Sequence, residues 1–182
     1  YGGEISSNNF LLKNKKFGMI GFGDLGRALL SLLKPFSNEI MAFDPWVPDL
    51  YVKKFNVQPV DLITLLKKSD IVFVLASITS SNKAMIDLKK LKLMKNFSTI
   101  VIISRAEIIN FNDLYKFLKS KSVYAAIDVF PEEPLPKNSQ LRKLPNVLFS
   151  PHRAGALDVA FKEMGEIVLG DLKLITNNLP PR

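Results

Sequence analysis

The 182 residues carry 25 basic and 17 acidic side chains, a formal net charge of +8, with 47% hydrophobic and 23% charged residues. That balance excludes intrinsic disorder as the overall state, because so apolar a chain of this length buries a core without staples. Zero cysteines exclude disulfides, thiolate metal sites and cysteine nucleophiles together; one histidine and the lack of any apolar run of roughly 18 residues argue against a multi-histidine metal site and a membrane span.

Residues 1–16 open on Tyr1 rather than methionine and hold Gly2, Gly3, Ser6, Ser7, Asn8 and Asn9. They read as a surface lead-in, and the chain is expected to be a piece of a longer protein. After them, short runs rich in Ile, Val and Phe alternate with helical patterns. Residues 17–20 predict a strand, 25–34 a helix and 39–43 a second strand. A helix follows over 60–68, a strand over 70–75, a helix over 88–94 and a strand over 99–103. Residues 112–119 predict a further helix, with strands at 123–128 and 147–150. Strands alternating with helices predict an α/β fold, a doubly wound parallel sheet with helices on both faces. The run Ile71-Val72-Phe73-Val74-Leu75 suits such a sheet, whose strands are buried on both sides.

Residues 156–176 predict a last helix. Leu157, Ala160, Phe161, Met164, Ile167, Val168, Leu172 and Ile175 recur at helical spacing, and Pro180 and Pro181 end the pattern. This amphipathic helix is expected to lie against the core; docking onto a neighbouring domain or partner is the other reading. The lysines are scattered along predicted helices and turns, so a solvated surface is expected, with no nucleic-acid partner and no membrane. A soluble, cytoplasmic protein is the default.

Gly21-Phe22-Gly23-Asp24-Leu25-Gly26 is a G-x-G-x-x-G run between a predicted strand and a predicted helix. Asp44 ends the next strand, near the spacing of about 20 residues that the dinucleotide-binding (Rossmann) fingerprint requires. Gly21 suits a tight turn, Gly23 a close backbone approach to a pyrophosphate, and Gly26 close packing of helix on strand. The backbone N–H groups of the helix start, at Asp24 and Leu25, suit phosphate oxygens. Asp24 itself is expected to point its carboxylate outward. Asp44 suits the adenosine ribose hydroxyls and repels a 2′-phosphate, which favours NAD over NADP.

With these residues in place, the sequence resembles the D-isomer-specific 2-hydroxyacid dehydrogenases over about residues 12 to 177. Lys16 to Arg27, Ala42-Phe43-Asp44-Pro45 and Ser69-Asp70-Ile71-Val72 carry the first part of the likeness. Asp128-Val129-Phe130 with Glu133-Pro134-Leu135 resembles the family's D-V-F-x-x-E-P-L run. Leu144-Pro145-Asn146-Val147 and Pro151-His152-Arg153-Ala154-Gly155 resemble its L-P-N-V…P-H-x-A-G signature. The resemblance implies a catalytic trio: Arg105 holding the substrate, His152 as general acid and base, and Glu133 orienting the imidazole. It implies a nicotinamide-end contact for Asp128, and positions along NAD for Ser77, Ile103, Ser104, Arg105, His152 and Gly155.

The implied substrate is a small 2-oxo or 2-hydroxy acid, and the implied assembly a homodimer. Residues 17–155 are expected to form the NAD-binding domain and 156–182 a C-terminal helix and tail, with the family's substrate domain mostly absent from the chain. The sequence departs from the family around the arginine, where Ala106 stands in place of glycine and Glu107 follows within reach of the guanidinium. A non-catalytic NAD-sensing module, similar to corepressor relatives, is the alternative these departures raise.

Overall fold

The computed structural model describes residues 11–120 and 122–181, so the expected lead-in lies outside the described residues over 1–10. Along the chain run β1 (Phe17–Ile20), α1 (Asp24–Leu33), β2 (Ile40–Phe43), α2 (Asp49–Lys53), β3 (Gln58–Pro59), α3 (Leu62–Lys68) and β4 (Ile71–Val74). Then come α4 (Leu88–Leu91), β5 (Thr99–Ile102), α5 (Phe111–Ser120), β6 (Tyr124–Ile127), β7 (Val147–Phe149) and α6 (Asp158–Thr176). The strands form one seven-stranded sheet in the order β3-β2-β1-β4-β5-β6-β7, every neighbouring pair parallel. This is the doubly wound α/β architecture that the alternation predicts.

The strands hold because successive side chains enter opposite faces of the pleat, and both faces are covered. Val72 and Val74 of β4 pack with Leu65 and Leu66 of α3, Leu91 of α4 and Phe117 of α5. Their neighbour Ile71 packs on the other face with Phe17 and Met19 of β1, Leu30 and Leu33 of α1 and Val52 of α2. Each such buried side chain contributes about 1.5–3 kcal/mol relative to exposure.

Two expectations need correction. The segment between β2 and α3 holds α2 and β3, which the pattern analysis leaves blank. A five-residue helix and a two-residue strand ending at Pro59 are too short for periodicity to register. The second correction concerns α6, expected against the core: none of its residues is buried. Phe161 is 59% exposed and Leu172 51%. Periodicity reports that a helix has an apolar side, whereas the surface that side meets depends on where the preceding chain releases it. Here β7 is the outermost strand, with Leu148 72% exposed, and the chain leaves the domain from that edge. No described helix is long and apolar enough to cross a membrane.

Candidate functional site

A parallel sheet delivers the carboxyl end of every strand to one edge. The segments after β1, β2, β4, β5, β6 and β7, where the sequence-predicted site residues lie, therefore share that edge. The strand order reverses between β1 and β4, which opens a crevice at their carboxyl ends.

The glycine-rich turn crosses this crevice. Gly21 has φ +100°, and a Cβ there would stand 2.5 Å from the backbone nitrogen of Ala76 beyond β4. A Cβ on Gly26 would meet the carbonyl oxygen of Gly21 at 2.9 Å, so α1 packs on the turn only without one. Gly23 is different: no heavy atom lies within 4 Å of where its Cβ would be, leaving its backbone open to a ligand. No side chain caps the N-terminus of α1, the arrangement that suits an anion. Leu25 is half exposed there. The Asp24 carboxylate points outward, as expected, and pairs with Arg27.

Asp44 stands at the end of β2 with both oxygens engaged. Oδ2 accepts the Phe22 N–H at 2.8 Å and Oδ1 the Trp46 N–H at 3.0 Å. The carboxylate thus pins the glycine turn to the segment after β2 and keeps further lone pairs for hydroxyl donors. Beyond β4, Asn82 is 1% exposed; its amide donates to the Ser77 carbonyl at 2.8 Å and accepts the Thr79 N–H at 2.8 Å. The sequence analysis passed over Asn82, whose signal was an amide closing the Ser/Thr-rich run 77–81.

After β5, Ile103 is partly buried and Ser104 is 7% exposed, its hydroxyl without a hydrogen-bond partner. Arg105 is exposed, and its Nη1 donates to the Ser104 carbonyl at 2.8 Å. Glu107 forms no ion pair with it among the described residues; the turn Ala106–Ile108 begins between them. Arg105 follows β5 and His152 follows β7, strands that lie two spacings, about 10 Å, apart in the sheet.

At the end of β6, Asp128 is 3% exposed. One oxygen accepts the Arg153 N–H at 2.9 Å, and the Ala154 N–H reaches the other at 3.1 Å. Burial alone would raise its pKa, yet the Ser150 hydroxyl and these two N–H groups outweigh that and hold it below the ordinary carboxylate value. Asp128 therefore anchors the segment that carries His152. His152 has φ +54°, a left-handed conformation unusual for a side chain with a Cβ, and the anchoring on either side sustains it.

The His152 ring meets Glu133 at 2.7 Å, Nδ1 to Oε2, while Oε1 accepts the Phe130 N–H at 2.8 Å. The hydrogen bond to His152, followed by that from Phe130, holds the Glu133 pKa below its ordinary value. With Nδ1 engaged, Nε2 is the nitrogen left for a substrate. The pair lines a cavity of about 560 Å³ together with Phe130, Leu135, Arg142 and Phe149. Gly155 follows, exposed. Among the described residues no group of three or more His, Asp or Glu side chains is placed to hold a metal ion.

This donor set fits a dinucleotide: an open backbone at Gly23, an acceptor at Asp44, and an orphaned hydroxyl at Ser104. Residues 4–154 match the model of the D-isomer specific 2-hydroxyacid dehydrogenase NAD-binding domain. The chain belongs to this family. Within the D-isomer specific 2-hydroxyacid dehydrogenases, it is 33% identical over 175 residues to a glyoxylate reductase of Thermofilum pendens, covering 93% of this chain and 51% of the relative. A phosphoglycerate oxidoreductase from Rhizobium etli superposes with a TM-score of 0.88 at 40% identity, over 100% of this chain and 55% of that one. The NAD-complexed dehydrogenase of this family from Lactobacillus delbrueckii ssp. bulgaricus superposes with a TM-score of 0.84 at 26% identity, over 96% of this chain and 56% of that one. The chain spans about half the length of these relatives and carries the family's NAD-binding domain.

Proposed function

We propose that the protein transfers a hydride between NAD(H) and a D-2-hydroxy acid or its 2-oxo acid, with Arg105, Glu133 and His152 as the acting side chains. The observation that carries this reading is the 2.7 Å Glu133–His152 pair on the same sheet edge as the glycine turn. It also favours a catalytic protein over a purely NAD-sensing module, which has no need of an oriented imidazole.

The nicotinamide, when bound, supplies or accepts the hydride. His152 gives its Nε2 proton to the carbonyl oxygen at C2 as that carbon is reduced, and takes it back in the reverse direction. Glu133 fixes the ring's orientation through its contact with Nδ1. Arg105 grips the substrate carboxylate with two parallel hydrogen bonds, releasing the Ser104 carbonyl to do so. The backbone at Gly21, Gly23, Asp24, Leu25 and Gly26 receives the diphosphate, Asp44 the adenosine ribose, and Ser77, Ile103, Ser104, Asp128 and Gly155 flank the nicotinamide half. In this reading residues 17–155 are the cofactor domain, and 156–182 a helix and tail.

His152→Ala is expected to lower kcat about 100-fold or more on the best 2-oxo acid while NADH affinity by calorimetry stays within about threefold. Retained turnover refutes the assignment. The family resemblance also motivates a cytoplasmic homodimer as part of the proposal; a single monomeric species in sedimentation velocity removes the dimer.

A further inference from the structure

A slot lies between the segments that follow β2 and β4, lined by Asp44, Trp46, Ala76, Asn82 and Met85 among others. Its volume is about 10 Å³, room for one water molecule. A two-ring purine does not enter unless a wall moves. Ala76 is held by its N–H bond to the Ile20 carbonyl at 2.8 Å. Asn82 is locked by two hydrogen bonds, and both oxygens of Asp44 are engaged. Met85 is partly buried, whereas Trp46 is the exposed wall, at 57%, and is tied at its backbone N–H rather than through its ring.

We propose that Trp46 is the cover of the adenosine end of the crevice: its indole swings out of the slot to admit the adenine base and then lies against the base's face. This role presupposes that the crevice takes NAD, as proposed above. Asp44 joins the two events, because the carboxylate that accepts the ribose hydroxyls also holds the Trp46 backbone at 3.0 Å. Stacking on the indole is indifferent to the nicotinamide half, so Trp46 tightens coenzyme binding without touching the reacting atoms.

Calorimetric titration of NADH into the unsubstituted protein, Trp46→Ala and Trp46→Phe tests this. Trp46→Ala is expected to bind NADH about tenfold more weakly, the loss of one base–aromatic stack, while Trp46→Phe stays within about threefold. A companion readout needs no substitution, because Trp46 is the one tryptophan of the 182 residues. Its emission is expected to fall on saturation with NAD+, whose adenine then lies on the ring. Equal NADH affinity in Trp46→Ala and the unsubstituted protein overturns the role of Trp46 and leaves the coenzyme reading standing; so does emission that NAD+ leaves unchanged. Failure of the unsubstituted protein to bind NADH overturns the coenzyme reading and the cover together.

Discussion

Asp24, Asp44 and Asp128 have one side-chain chemistry and three fates on the same sheet edge. Asp24 has its side chain 99% exposed and pairs with Arg27, an interaction worth little in water. Asp44 joins two segments through backbone N–H groups. Asp128 is 3% exposed and holds the histidine segment. The spacing of the glycine fingerprint singles out Asp44, because one strand and one helix separate it from the turn. The anchoring by Asp128 is not legible, since it depends on β7 running beside β6, a pairing of residues 22 positions apart. Asp128→Ala leaves the Arg153 and Ala154 N–H groups short of their acceptor, and is expected to lower stability by about 1–3 kcal/mol. The urea midpoint reads this, with kcat falling further because His152 loses its setting.

Among elements, α5 and α6 show what an apolar pattern can and cannot tell. Both have apolar residues at helical spacing, and the second is expected against the core. Phe117 on α5 is 0% exposed and packs with β4 and α3. Phe161 on α6 is 59% exposed. Phe117→Ala is expected to destabilise by about 3–5 kcal/mol through the cavity it leaves, whereas Phe161→Ala stays within about 0.5 kcal/mol. Chemical denaturation of the two variants checks the contrast; a large loss for Phe161→Ala means that α6 is covered in solution. The other six strands were legible to within a residue or two because each is a short, mostly apolar run set off from its neighbours. The elements α2 and β3 were missed because neither is long enough to carry a period.

The whole molecule carries +8 and rests on carboxylates held in their charged form. Asp70, Asp87, Asp128 and Glu133 all have pKa values below their ordinary ones. The Asp70 shift comes from the Lys16 N–H and the Lys95 ammonium against the opposing effect of burial. A carboxylate with a lowered folded pKa contributes stability above its unfolded pKa and loses it as pH falls through the folded one. The protons that then bind also remove negative charge from a chain already positive, adding self-repulsion. Urea midpoints are therefore expected to hold steady from about pH 7 to about pH 5 and to fall steeply toward about pH 3. A midpoint unchanged at the acid end contradicts the role of these groups.

The sequence by itself determined the α/β alternation and the glycine turn. Those are local properties: hydrophobic period, backbone freedom and residue type at short spacing express themselves within a few residues. Only the tertiary structure decided which N–H groups Asp44 and Asp128 hold, that His152 and Glu133 touch, that Trp46 lines a slot with Asn82, and that α6 stands clear of the core. Each of these depends on strands distant in the chain being brought side by side, with the direction in which every loop leaves the sheet set by its neighbours.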